Sequence, residues 1–403
     1  MEKNLKMKAI FLVTLLCTFS CGLLAQGSSS KKTMGRLIEE NLLFAAKQYK
    51  VLQQNTPPDR MPRSFNPKEN KSVTSDTKWW CSGFYPGTLW YIFEYTADSS
   101  IKKEAERRLA ILEKEQYYTG NHDLGFMMYC SFGNAYRITQ KPAYKNIIFN
   151  AANSLATRYR PSIKAIQSWD SSKNFNCPVI IDNMMNLELL EWVSNNGGSK
   201  RFHEIAVTHS NTTLKNQFRS DYSSYHVLDY DLKEGSVSRK VTHQGYSSES
   251  AWSRGQVWGL YGYTVMYRST KTPVYLKQAT NIAQFILKHP NMPADGVPFW
   301  DFDAPGIPNA PRDASAGAIL ASALLELSQY TKGKQKADYI KFAEKILQRL
   351  SSDIYRAKLG DNGGFLLMHS VGSMPHKSEV DVPLTYADYY FVEALMRYKK
   401  WYL

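Results

Sequence analysis

Six stretches of the chain share one hydrophobic grammar. Each opens on a polar residue or a glycine, runs through a long series of apolar and aromatic positions, and closes in a short turn. They begin near Gly83, Leu124, Asp182, Arg254, Ala314 and Ala387 and end near Tyr95, Arg137, Val193, Tyr267, Gln329 and Tyr398. Segments apolar on every side predict buried helices, not surface ones. Most are followed by a one-sided helix: Leu276, Ala279, Ala283 and Ile286, and then Ile340, Ala343, Leu347 and Leu350, recur at the spacing of a single buried stripe. With an amphipathic helix over Met34–Tyr49 in front, the pattern predicts six inner and six outer helices, an all-α (α/α)6 barrel.

The connections agree with that arrangement. Links from an inner to an outer helix are short, as at Thr96–Ser100, Ile138–Pro142 and Ser269–Pro273, whereas links from an outer to the next inner helix are long, as at Thr56–Lys78, Pro161–Ile181, Arg219–Ser253 and Ser352–Tyr386. One rim therefore carries nearly all the irregular structure, and binding residues favour loops on a rigid scaffold. Within that rim, Ser224–Asp231 and Ser236–Thr242 alternate about Lys233-Glu234-Gly235, which predicts a small β-hairpin.

A chain of 403 residues can bury one large core, so 26–403 is expected to form a single catalytic domain. Residues 1–25 form a signal peptide by pattern: Lys3, Lys6 and Lys8 precede the apolar run Ala9–Phe19, and Leu23-Leu24-Ala25 offers a cleavage site. Export, and a periplasmic location, are expected. Lipidation of Cys21 competes with cleavage, but Thr18-Phe19-Ser20 is a poor lipobox. After cleavage only Cys81, Cys130 and Cys177 remain, with no metal-ligand spacing, and no later run is long enough to span a membrane. The formal charge of +14 points to an acidic partner, and its scatter favours a polyanionic carbohydrate over nucleic acid. No metal or cofactor is implied, and the expected state is a monomer.

Candidate chemistry gathers where the inner helices start. Trp79, Trp80, His122, Asp123, Trp169, Asp182, His226, Gln244, Trp252, Arg254, Trp258, Arg312 and Asp313 all fall there, whereas Trp90 and Trp192 lie deep in helices and read as core. Indole faces beside carboxylates suit sugar binding, and two carboxylates brought together can split into an acid and a base. Asp123 and Asp182 can equally serve as helix N-caps, and the two histidines as satisfied structural groups. Arg254 at a helix start can grip a carboxylate or cap a neighbouring helix, with Glu249 a candidate counter-charge.

Taken together, Trp80–Phe84 (WCSGF), Asn121–Phe126 (NHDLGF), Ile180–Leu187 (IIDNMMNL), Ser223–His226 (SSYH), Thr242–Gly245 (THQG) and Trp252–Trp258 (WSRGQVW) resemble the unsaturated glucuronyl hydrolases, glycoside hydrolase family 88. The resemblance runs from about Met34 to the C-terminus. It implies a glycosidase that removes a 4,5-unsaturated glucuronyl residue from lyase-generated glycosaminoglycan disaccharides, of heparin or of chondroitin and hyaluronan type, by hydrating the C4=C5 bond. It further implies Asp182 as general acid/base, Asp123 as the second essential carboxylate, and Trp80, His122, Trp169, His226, Gln244, Arg254 and Trp258 around the unsaturated sugar. Cys81-Ser82 after Trp80 departs from a common form of the family motif. The segment Ser370–Lys377 resembles the family's sulfate-reading loop, with Ser370, Ser373 and Lys377 as its contacts. Two alternatives stand beside this reading: an unsaturated rhamnogalacturonyl hydrolase acting on pectin fragments, and a non-catalytic glycan-binding protein.

Overall fold

The computed structural model describes residues 33–403, so the leader and Cys21 lie outside the described residues. The first helix, α1, covers 33–54. It is followed by α2 (Phe84–Thr96), α3 (Ser99–Leu112), a π-helical segment Gly125–Gly133 that continues as α4 (Asn134–Thr139), α5 (Pro142–Ala156), α6 (Asn183–Asn195) and α7 (Lys200–Asn216). The chain closes with α8 (Ser253–Thr270), α9 (Pro273–Lys288), α10 (Ala314–Leu327), α11 (Gly333–Leu350) and α12 (Thr385–Tyr402). The six apolar stretches are the inner helices: α2, the π segment with α4, α6, α8, α10 and α12 pack side by side in that order, and α12 returns onto α2 to close the ring. The (α/α)6 barrel is thus the fold.

Local chemistry explains the boundaries. Asp98, Ser199 and Asp313 accept the backbone N–H groups of Ser100, Arg201 and Ser315, capping α3, α7 and α10. Pro142 and Pro273 open α5 and α9, where a missing N–H costs nothing. Three of the short inner-to-outer turns use one device, a left-handed residue just past the inner helix: Ala97, Gln140 and Lys271. Inside the ring, α8 crosses α6 closely because Gly262 leaves room, since a Cβ there would sit 2.4 Å from the Cβ of Met184.

Every strand lies in an outer-to-inner link. The expected hairpin is present as β6 (Val227–Tyr230) and β7 (Val237–Val241), and β5 (Pro178–Ile180) joins it to make three strands. Three further pairs extend the single hairpin expected from sequence: β1 (Met61–Asn66) with β2 (Lys71–Ser75), β3 (Tyr159–Arg160) with β4 (Ala165–Ile166), and β8 (Ser370–Ser373) with β9 (Ser378–Val382). The β8–β9 hairpin has its own small core, Val371 packing with Phe299 and Trp300. Among the described residues Cys81, Cys130 and Cys177 are free thiols, and no helix is long and apolar enough to cross a membrane.

Candidate active site

The strand-bearing rim encloses a cleft of about 580 Å³, a size that suits a disaccharide. Asp123 and Asp182 line it, with Trp80, His122, Trp169, Gln244, Arg254 and Ser373. Two elements place Asp182. The antiparallel pairing of Ile180 with Val227, extended by the Ile181 N–H donating to the His226 carbonyl at 3.1 Å, holds the chain just before it. Asn183 then donates to the Ile166 carbonyl at 2.7 Å and fixes the start of α6. Asp123 is held by its own N–H on Asn121 Oδ1 at 2.9 Å, and Asn186 of α6 accepts from the Phe126 N–H at 3.0 Å. One asparagine thereby staples the two Asp-bearing segments together. They also meet without Cβ room at Gly125, where a side chain would lie 2.5 Å from the Asn186 Cα.

The capping alternative fails for Asp182. It occupies the N-cap of α6 yet its side chain accepts no capping hydrogen bond, and Oδ2 is buried without a hydrogen-bond partner among the described residues. Nor does Asp123 cap its helix, whose N-cap is Leu124. Burial pushes the Asp182 carboxyl up to about 7; Asp123 adds to the rise, while Arg254 and the Trp258 indole pull against it. Burial likewise raises Asp123 to about 7, against the opposing charge of Arg158. Two such acids in one pocket favour a state in which at most one is charged near neutrality.

Burial holds the two histidines beside these carboxyls in the neutral form. Burial lowers His122 to about 3 and His226 well below its ordinary value. His226 Nδ1 accepts the backbone N–H groups of His243 (3.2 Å) and Gln244 (3.1 Å), which places its proton on Nε2, 3.8 Å from Asp182 Oδ2. Its ring stacks on Trp252 at 4.4 Å. His122 Nε2 lies 3.4 Å from Asp123 Oδ1.

Other expected residues are placed differently. Trp258 is fully buried and lies beneath the cleft, against Phe126 and Tyr390, with Nε1 short of a full hydrogen bond to Asp182. Arg254 is not a free fork: Nη1 donates to Asp313 Oδ2 at 2.9 Å and to the Val371 carbonyl at 2.5 Å, and Nη2 to the Gly372 carbonyl at 2.6 Å. Its counter-charge is Asp313, not Glu249, which is exposed and pairs with Arg219 at 3.6 Å. Arg312 pairs with Asp295 away from the cleft. Ser370 is buried in β8, Ser373 lines the cleft with its Oγ 2.7 Å from His376 Nδ1, and Lys377 is exposed in the hairpin turn and does not line the cleft. Trp90 is core, but Trp192 is half-buried on the wall of a second cavity.

That second cavity, of about 410 Å³, lies on the far side of the aromatic floor and contains Glu188, Glu393, Arg268 and Arg397. Its carboxylates are consumed by ion pairs with those arginines, so it offers no free acid. In the rim cleft, sequence reasoning missed Arg63, Asp76, Lys78, Tyr118, His243, His376, Glu379 and Tyr386. Arg63, His376 and Glu379 come from the β1–β2 and β8–β9 hairpins, of which only the Ser378–Val382 stretch alternates polar and apolar residues and offered a signal.

No protein-family model matches the chain. Individual relatives do. An unsaturated glucuronyl hydrolase of Formosa agariphila is 48% identical over 343 residues, 84% of this chain and 84% of that protein. An unsaturated chondroitin disaccharide hydrolase of Streptococcus pyogenes is 32% identical over 341 residues, 83% of this chain and 85% of that one. Among solved structures, an unsaturated glucuronyl hydrolase specific for heparin superimposes with a TM-score of 0.88 at 47% identity, covering 91% of this chain and 97% of its own.

Proposed function

The chain belongs to the unsaturated glucuronyl hydrolases, and from that premise we propose that Asp182 is the acid that starts the reaction, with Asp123 as its partner carboxylate. The enzyme is a glycosidase acting on unsaturated glucuronyl disaccharides left by glycosaminoglycan lyases. In such a sugar the C4=C5 bond, the ring oxygen and the carboxylate form a conjugated enol ether. The Asp182 proton goes to C4, and positive charge develops on C5 and the ring oxygen. Water adds to C5 and gives its proton back to the Asp182 carboxylate, restoring the acid. The resulting hemiketal opens and releases the second sugar. Because attack is at C5, the separation of the two carboxylates does not set an anomeric outcome.

The observation that carries this reading is Asp182 itself: a buried acid that caps no helix and whose Oδ2 takes no hydrogen bond among the described residues, in a cleft of disaccharide size. A glycan-binding protein has no use for a carboxyl raised to about 7. Heparin-type disaccharides are the proposed preference, supported by 47% identity to a heparin-specific hydrolase against 32% to a chondroitin-disaccharide one. The test is a panel of unsaturated disaccharides from heparin, chondroitin, hyaluronan and pectin, followed by loss of ultraviolet absorbance. Preferred turnover of the heparin type supports the proposal; preference for the pectin type contradicts it. Export to the periplasm through Met1–Ala25 completes the proposal, and a mature chain that retains this leader would contradict it.

A further inference from the structure

Asp123 and Asp182 are about equally buried, so a group outside the pair must decide which of them holds the proton. Each answers to one arginine: Arg254 pulls against the rise in Asp182, and Arg158 against the rise in Asp123. These two cations are compensated differently. Arg254 pairs at 2.9 Å with Asp313, both side chains fully buried, so its field is cancelled in place. Arg158 has a side chain only 3% exposed, yet its one carboxylate partner among the described residues is Asp170 at 3.1 Å, itself 76% exposed. Water screens that partner, and the buried cation keeps most of its field.

Arg158 is also built into the frame of the site. It follows α5, and its Nε donates to the Gln167 carbonyl at 2.8 Å while Nη1 donates to the Thr119 carbonyl at 2.5 Å. Those carbonyls belong to the two segments that meet behind the cleft. The His122 N–H donates to the Ser168 carbonyl at 3.0 Å, and Asn121 pairs with Trp169 as a β-bridge. Ser168 Oγ in turn accepts from the Ile180 N–H at 2.9 Å, just before Asp182. Nη2 of Arg158 is buried with no hydrogen-bond partner among the described residues. The side chain does not line the cleft, so whatever it does for the reaction it does through other residues.

We propose that Arg158 is a positioning residue that sorts the proton within the pair: its poorly compensated charge keeps Asp123 ionised, and the proton stays on Asp182, where the reaction takes it. This rests on the glucuronyl hydrolase reading, which needs one protonated acid. The opposite arrangement, Asp123 protonated and Asp182 ionised, has the same net charge and no proton to deliver. The other groups facing the pair do not do the sorting. Beside Asp123, His122 is neutral at 3.4 Å, burial keeps Tyr118 and Cys81 in their neutral forms, and the Asn186 amide favours the charged carboxylate. Beside Asp182, His226 is neutral at 3.8 Å, and Arg254 is spent on Asp313. Around Arg158 itself, Cys177 of the link before β5 is held neutral by burial, and Arg160 of β3 is occupied with Gln167 Oε1 at 2.9 Å.

Two readouts separate sorting from mere bracing. In the parent enzyme, free of substrate and carrying aspartate labelled with carbon-13 at the side-chain carboxyl, the Asp123 signal should lose its proton at lower pH than the Asp182 signal. The reverse order overturns the proposal whether or not any Arg158 variant folds. The second readout is the pH profile of kcat/KM on an unsaturated disaccharide. Activity is lost on the acid side as Asp123 takes up a proton, and removing a nearby positive charge raises the pH at which it does so. Arg158→Gln should therefore move the acid limb up by about one pH unit, and near the limb kcat should fall roughly tenfold with KM nearly kept. Arg158→Lys keeps the charge and gives up the fork, so it should melt lower than the parent yet hold the limb in place. An acid limb that stays put in Arg158→Gln, or that moves as far in Arg158→Lys, would overturn the role. Failure of the parent to turn over any unsaturated disaccharide would overturn the functional reading and this role with it, whereas the wrong titration order in an active parent overturns the role of Arg158 alone.

Discussion

At the residue scale the proposed chemistry turns on Asp182, a carboxyl that burial pushes up to about 7. Asp182→Asn keeps the shape and removes the transferable proton, so turnover should fall by about 10²–10⁴ with binding of the substrate nearly kept. Retention of more than about a tenth of parental turnover would show that Asp182 is not the acid. The same variant tests the origin of the raised pKa. A carboxyl near 7 in the fold and near 3.8 in the unfolded chain binds its proton more tightly when folded. Its contribution to stability is full below about pH 3.8 and is lost as pH rises through 7. Asp182→Asn, which has no proton to lose, should therefore melt higher than the parent at about pH 8, by on the order of 2 °C, with the gain shrinking toward pH 5. A constant difference across that range would show that burial is not what perturbs Asp182. Sequence pattern identified both carboxylates because each precedes a strongly apolar run. It left the capping reading open, since only coordinates show that the Asp182 side chain makes no capping bond.

At the scale of elements, the inner helices were legible because their apolar character runs all round, and the structure has them within a few residues of the expected ends. Apart from the β6–β7 hairpin, the rim strands were not. β1, β2, β8 and β9 are short, and what fixes them is long-range: Arg63 of β1 bonds Glu379 of β9 at 2.5 Å, and Arg254 of α8 holds the Val371 and Gly372 carbonyls of β8. The same tertiary bond explains why Arg254 looked like a free grip in sequence and is an anchor in the fold. Asp313 neutralises it from 59 positions away, at 1% and 0% side-chain exposure for the two partners. Asp313→Asn should leave that buried guanidinium uncompensated and cost about 3–5 kcal/mol. With the β8–β9 hairpin loosened, KM should rise more than kcat falls, and hydrogen exchange at Val371 and Gly372 should speed up. Unchanged exchange there would mean that the hairpin is held by other contacts.

For the whole molecule, the barrel separates stability from chemistry. One end of the ring is closed by short turns and an interior ion-pair lattice of Glu188, Arg268, Glu326, Arg397 and Glu393. The other end carries the long links, the strands and the two carboxyls that burial raises, Asp123 and Asp182. Link lengths alone pointed to the end that holds the cleft, because loops that need not pack are free to bind. They could not reveal which loop residues meet across the rim, and so His243 and His376 escaped a reading made along the chain. The most direct measurement is the isotopic fate of the double bond. Turnover in heavy water should place deuterium at C4 of the product, labelled water should leave its oxygen on C5, and the ultraviolet chromophore should vanish in step with product. A product that keeps its absorbance, carries no deuterium at C4 and bears the label on C1 would contradict hydration by Asp182, even if Asp182 proved essential.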